Sequence, residues 1–291
     1  MGFPNPYFTI FELMVLVLAI AGFRHAWQRG PHVVWQLLAG MIFGVLLEWA
    51  TIRQLEAYHY GRFLIMLGDV PIAIGVSWGL IIYSARLFSD ATSLPDWARP
   101  VLDGLLALNI DLSMDAIAIR LGMWDWGQGL KFDYFGVPWA NFWAWFWVIV
   151  SFSASIRLFT RPQNWFGRWL APVLAIVTGT LGVLGTNALI VYVLHPIGLY
   201  KVSVAMVLGG ALVLVLALRP RLHVSEAGWL AMAVPAAFHL YFLSAGIISG
   251  AIFAPPFLLL VSLAMLMVAW WLHRPLEKRP FSHVTNTDTA V

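Results

Sequence analysis

Apolar stretches of roughly twenty residues recur from one end of this chain to the other, separated by short polar connections. About that many residues are needed for a helix to cross the hydrocarbon core of a bilayer. The expected fold is therefore all-α, a polytopic transmembrane helix bundle. Composition leaves no room for a soluble domain: 61% of the 291 residues are hydrophobic and 11% charged, where a soluble domain carries about 25% charged residues.

Hydropathy places helices at 7–23, 33–50, 66–86, 100–120, 138–158, 169–194, 201–218, 227–248 and 252–272. The working count is nine. Ser249, Gly250, Pro255 and Pro256 mark either a turn or a break in re-entrant structure, so eight to ten helices fit. The stretch from Tyr7 to Phe23 has no basic residue before it and no small-residue cleavage site, which reads as a retained helix. Twelve of the seventeen Lys and Arg fall in the odd-numbered connections and the C-terminal end. The other five, Arg53, Arg62, Arg120, Lys131 and Lys201, fall in the even-numbered ones. By the positive-inside rule the N-terminus lies outside and the C-terminus in the cytoplasm, as expected for a multi-pass protein of the cell membrane. Residues 1–273 read as one transmembrane domain, and the polar segment 274–291 as a disordered cytoplasmic tail.

Scattered cations argue against nucleic acid as a partner. The absence of cysteine excludes disulfides, thiolate nucleophiles, Fe–S clusters and cysteine-held zinc. None of the eight histidines has another three or four residues away, the spacing a membrane di-iron centre needs. No phosphate-cradling loop and no nucleophile elbow occurs in a suitable context.

Ionisable groups inside spans are expensive, and here they are lopsided. Glu48 falls near the outer end of the second expected helix, Asp69 near the outer end of the third, Asp111 and Asp115 in the outer half of the fourth, and Asn141 at the outer start of the fifth. At about 1.5 Å per residue, Asp115 lies roughly 7 Å and Asp111 roughly 13 Å in from Arg120. Four residues apart, these two aspartates share one helix face. Two carboxylates so close in a low dielectric cannot both ionise readily, so one keeps its proton as a general acid while the other serves as a base. The competing reading is a buried hydrogen-bonded or ion-paired network, with Arg120 as partner, that fixes helix packing. Asp69, two residues before Pro71, equally suits a helix cap. Arg53, Glu56, Tyr58, His59, Tyr60 and Arg62 read as an outer loop with no buried role.

The connection after the fourth helix holds Trp124, Trp126 and Tyr134 among glycines. Singly these residues read as an interfacial aromatic belt. Together above a carboxylate pair they could stabilise a carbocation through cation–π attraction. Asn187, Tyr192, His195, His239 and Tyr241 either complete the pocket from the far side or join helices by hydrogen bonds.

Glu48, Leu67-Gly-Asp69-Val-Pro71, Asp111-Leu-Ser-Met-Asp115, Trp124-Asp125-Trp126, Tyr134-Phe-Gly136-Val-Pro138 and Asn141-Phe142 follow one another over roughly residues 40–150. In this order they resemble the integral membrane carotenoid biosynthesis proteins, a family that includes carotenoid 1,2-hydratase and bisanhydrobacterioruberin hydratase. Ala116 stands where that pattern often has proline. The resemblance implies water addition to the terminal isoprenoid double bond of an acyclic carotenoid end, such as lycopene, γ-carotene or a C50 bacterioruberin precursor. That reaction needs no cofactor and no metal. Its substrate arrives from the lipid phase, membrane lipids surround the protein, and a downstream carotenoid glycosyltransferase is a compatible partner. Read onto this chain, Asp111 and Asp115 are the acid/base pair, with Glu48 and Asp69 holding water or tuning them. Trp124, Trp126 and Tyr134 shield the cation, and Asn141 orients a carboxyl or the water.

The rival readings are a metal-dependent membrane prenyl or cyclase enzyme of isoprenoid metabolism, a proton-coupled transporter and a carotenoid-binding protein without catalysis. The first wants more aspartates and facing cations, and the second wants inverted repeats. The third has no need of paired buried carboxylates.

Overall fold

Proline opens four of the helices at the first turn, where its fixed φ suits a helix and its missing N–H costs no bond. The computed structural model of the protein describes residues 5–56, 58–162, 164–223 and 227–277. Among these residues lie nine α-helices: α1 (Pro6–Arg29), α2 (Pro31–Leu55), α3 (Ile72–Asp90), α4 (Arg99–Ala118), α5 (Trp139–Thr160), α6 (Ala171–Ala188), α7 (Tyr200–Leu218), α8 (Leu230–Ser249) and α9 (Leu258–Glu277). The all-α polytopic bundle expected from hydropathy is the fold observed. Eight of its helical segments are long and apolar enough to cross a membrane.

Several boundaries move for local reasons. The third helix begins at Ile72, not at 66, because Gly68 at φ +61° turns the chain and Met66–Leu67 pairs with Val70–Pro71 as a two-residue hairpin. Gly250, at φ +79°, ends α8, and a 3-10 turn at Ala251–Phe253 leads toward α9. This stretch is an ordinary interhelical turn. The sixth helix is α-helical only over Ala171–Ala188, with π-helical turns at Phe166–Leu170 and Leu189–Leu194. Helix α9 continues through Glu277 into the segment expected as a tail, and residues 278–291 lie outside the described residues.

Helix α4 is the exception among the nine. With Arg99, Asp103, Asp111 and Asp115 it is too charged to count as an apolar span, yet all three aspartates are fully buried. It packs against α3, α5, α7, α8 and α9, so neighbouring helices replace lipid around its polar side chains. Helices α2 and α3 approach closely along glycines. A Cβ on Gly44 would lie 2.5 Å from the Gly75 carbonyl oxygen and 2.6 Å from Trp78 Cβ. Small residues of this kind let helix backbones meet inside a membrane.

At one end of the bundle the α2–α3 and α4–α5 connections join. His59–Tyr60 pairs antiparallel with Trp124–Asp125, placing Tyr60 opposite Trp124. Arg120 secures the same end by donating to the carbonyls of Ala116 (2.7 Å) and Phe135 (2.6 Å). It is a loop clamp, and the ion pair with the aspartates that the sequence allowed is not formed. At the opposite end Arg157 bridges Asp90 (2.9 Å) and Asp103 (3.2 Å).

Candidate active site

Asp111 and Asp115 follow one another by a helical turn on α4, and Asn141 faces them from the first turn of α5. The Asn141 amide nitrogen donates to Asp111 Oδ1 (3.1 Å), to Asp111 Oδ2 (3.2 Å) and to Asp115 Oδ2 (2.5 Å). One side-chain amide thus gathers both carboxyls, which lie within hydrogen-bonding reach of each other and can share a proton. Asp115 Oδ1 is buried and has no partner among the described residues.

Asp115 and Asn141 stand on the wall of a cavity of about 780 Å³, the size of a site for a substantial organic ligand. Helix α2 contributes Leu47, Glu48 and Thr51, α3 contributes Trp78, α5 contributes Trp145 and α6 contributes Asn187. Tyr58, Tyr60, Trp124 and Trp126 roof it, and exposed Arg53, His59 and Gln128 line its rim. Asp111 lies behind this wall, joined to Asp115 through Asn141.

Glu48 is buried and accepts three hydrogen bonds: from Tyr58 (2.6 Å) and Tyr60 (2.7 Å) at one oxygen and from Trp78 Nε1 (2.7 Å) at the other. Burial, and next the charge of Glu48, push both tyrosine hydroxyls well above their ordinary ionisation range, so they remain donors. The sequence reading assigned this loop no buried role. The Tyr-His-Tyr alternation is the signal that was available, since residues two apart on a strand face the same way.

Trp124 and Trp126 reach the cavity as expected. Trp126 packs at a tilt against Tyr58 with centroids 5.0 Å apart, and Trp124 meets Tyr60 at 6.0 Å. Trp78 and Trp145, at 4.3 Å, form a further aromatic wall that the sequence did not single out. Tyr134 is different: it packs edge-on against Phe142 and donates to the Leu112 carbonyl (2.7 Å), beside the aspartates but off the cavity wall. Burial, then the charge of Asp111, raise its ionisation range too.

Asp69 stands apart. Its side chain is 63% exposed and pairs with Arg53 at 3.0 Å on the outside of the α2–α3 connection. Nor does it cap α3, whose N-cap is Pro71. Of the far-side residues, Asn187 lines the cavity. Tyr192 instead donates to the Gln54 carbonyl, His195 is exposed, His239 bonds Asn109 (3.0 Å), and Tyr241 bonds the Tyr7 carbonyl.

The description "carotenoid biosynthesis protein" belongs to a family that matches residues 5–216, from the start of α1 almost to the end of α7. The chain belongs to this carotenoid biosynthesis family. The match takes in the resemblance carried by residues 40–150 and extends it over every polar side chain of the site, while α8 and α9 lie beyond it. No curated protein and no solved structure matches the chain. As a member of the carotenoid biosynthesis family with eight apolar spans, this is a membrane protein with a role in making carotenoids.

Proposed function

We propose that this carotenoid biosynthesis protein is a hydratase, a hydro-lyase that adds water to the terminal isoprenoid double bond of an acyclic carotenoid. The observation that carries this reading is the Asp111–Asn141–Asp115 cluster at the wall of an aromatic-lined cavity in a member of a carotenoid biosynthesis family. Proton transfer to an alkene needs an acid whose conjugate base stays close, and a carboxyl pair that shares one proton supplies both.

In this reading the proton on Asp115 passes to the less substituted alkene carbon, and a tertiary cation forms on the other. The faces of Trp78, Trp126 and Trp145 surround the cation, each ring contributing about 0.5–2 kcal/mol when dry. Water attacks the cation and its surplus proton returns to the aspartate pair, so the net change is one water added and the catalyst is restored. Asn141 holds the pair in register, Asp111 shares the proton, and Glu48 supplies a fixed carboxylate across the cavity. The site opens toward the outer face of the cell membrane, and the polyene enters from the lipid.

Expression in a host that accumulates acyclic carotenoids tests the proposal. Pigments should gain the mass of one water per reacting end with an unchanged absorption spectrum, because the terminal double bond is outside the conjugated system. Unaltered pigment mass with several acyclic substrates offered would sink it.

A further inference from the structure

The cavity wall is thinnest where the end of α2 meets the π-helical turn that follows α6. The α3 side is backed by α1 and α8, and the α5 side by α4 and α7. The back of α6 instead presents exposed Val173, Val177 and Leu181. Within the single turn Leu189–Leu194, Ile190 and Val191 line the cavity, while Leu189, Tyr192 and Val193 are 41%, 58% and 51% exposed. Across the seam, Ile52 and Leu55 of α2 line the cavity yet are only half-buried, and Trp49, one turn away, is exposed. Here one layer of side chains separates the cavity from lipid.

The seam is fastened differently along its length. Deeper in the bundle Phe43 packs on Gly179, where an added Cβ would lie 3.1 Å from the ring. Beside the cavity two side-chain hydrogen bonds join the helices: Gln54 donates to the Leu184 carbonyl (2.9 Å), and the Tyr192 hydroxyl donates to the Gln54 carbonyl (3.0 Å), an acceptor in the last turn of α2. Ile190 packs with Trp143 and Val204 in a small apolar cluster apart from the main core, and Val191 lies against that cluster. The turn can therefore shift without repacking the core, and π-helical turns recur at functional sites.

We propose that this seam, between Ile52 and Leu55 on α2 and Ile190 and Val191 beyond α6, is a lateral port through which one end of a lipid-dissolved polyene enters the cavity. The polyene as visitor rests on the proposed function, whereas the port rests on the wall itself. On α2 the lining residues run from Leu47 to Leu55, about 12 Å at about 1.5 Å per residue. An extended C40 chain is far longer, so most of it stays in the lipid while its end is bound. The port is apolar where the chain must lie, and the polar rim of Arg53, His59 and Gln128 is left to water. Opening it breaks the Gln54 and Tyr192 bonds and leaves the Phe43–Gly179 contact closed.

The chain has no cysteine, so a single thiol on the cavity wall can report the route of entry. Ala144→Cys places one at a half-buried lining position, and the full chain in lipid nanodiscs is treated with a long-chain N-alkyl maleimide or with a sulfonated, water-soluble maleimide. The lipid-dissolved reagent is expected to label the thiol. Adding Val191→Trp or Ile52→Trp should slow that labelling about tenfold or more, because an indole fills the opening. Val193→Trp, which adds its ring to the lipid face, should leave the rate unchanged, and Tyr192→Phe should raise it. Labelling by the sulfonated reagent at an unchanged rate shows that a plugged variant has kept its fold and its rim. Labelling by the alkyl reagent that neither plug slows, or labelling by the sulfonated reagent alone, would overturn the port. A chain whose labelling obeys the plugs but which hydrates no pigment keeps the port and defeats the hydratase reading. Hydration at the wild-type rate with either plug in place does the reverse.

Discussion

Asn141 Nδ2 stands 3.1 Å from Asp111 Oδ1 and 2.5 Å from Asp115 Oδ2, so a single amide nitrogen from α5 holds two carboxyls of α4 together. All three residues are buried, and no cation among the described residues pairs with the two aspartates. Without the amide, the two carboxyls would keep only their shared proton as a donor between them. Asn141→Leu should therefore destabilise the protein by about 1–3 kcal/mol, the cost of stranding buried acceptors, and lower hydrate formation at least tenfold. Thermal unfolding in detergent and pigment mass analysis measure the two effects separately.

Asp115 lies on the cavity wall and Asp111 stands behind it. Asp115→Asn removes the proton donor and should reduce conversion by about 10²–10⁴-fold, the usual worth of general acid–base catalysis. Asp111→Asn breaks the sharing of the proton and should cost about as much, with both variants still accumulating in the membrane. Asp69→Asn alters only an exposed pair with Arg53 and should keep near wild-type conversion. Pigment ratios normalised to protein level decide this, and a loss at Asp69 comparable to that at Asp115 would displace the site.

Alkaline stability is the next expectation. Tyrosine hydroxyls of the unfolded chain ionise near about pH 10, whereas burial and Glu48 keep Tyr58 and Tyr60 protonated above that range in the fold. Below about pH 10 both states hold these protons and the contribution is flat. Above it the unfolded chain releases protons that the folded protein retains, so stability falls as pH rises. Unfolding midpoints between pH 8 and 11 should show this slope, and Tyr58→Phe with Tyr60→Phe should flatten it while weakening the hold on Glu48.

Gly44 tests whether the α2–α3 contact shapes the site. An alanine methyl there would press on the Gly75 carbonyl at 2.5 Å and on Trp78 Cβ at 2.6 Å. Gly44→Ala should cost about 1–3 kcal/mol by overpacking. It should also displace the indole that donates to Glu48, so conversion falls even at temperatures where the variant is fully folded. Full activity in a destabilised variant would show that Trp78 tolerates displacement.

Sequence alone was enough for the spans, the nine-helix count and the aspartate pair, because hydropathy and helical spacing are local properties. It also pointed to Asn141, through its position at the start of a helix on the same side. Asp69 looked equivalent to its neighbours since a line of sequence does not say that Gly68 turns the chain outward before α3. Tyr58 and Tyr60 read as loop residues without a buried role, and Trp78 and Thr51 did not stand out, for a related reason. Each is ordinary within its own segment, and becomes part of the site only through pairing of two connections or close approach of two helices. Tyr134 shows the opposite case, an aromatic in a suggestive loop whose hydroxyl is already taken by Leu112.

Helix α4 carries its aspartates as a buried centre while the apolar helices meet the lipid. On insertion scales each aspartate near a helix centre costs about 2.5–3.5 kcal/mol, against about 0.3–0.6 kcal/mol regained per leucine or isoleucine. This segment is therefore a poor passenger for the translocon by itself, and its entry into the bilayer depends on α3 and α5 entering beside it. The helix that bears the chemistry is thus the one whose biogenesis is least autonomous, and truncations that end after α4 should leave it outside the membrane.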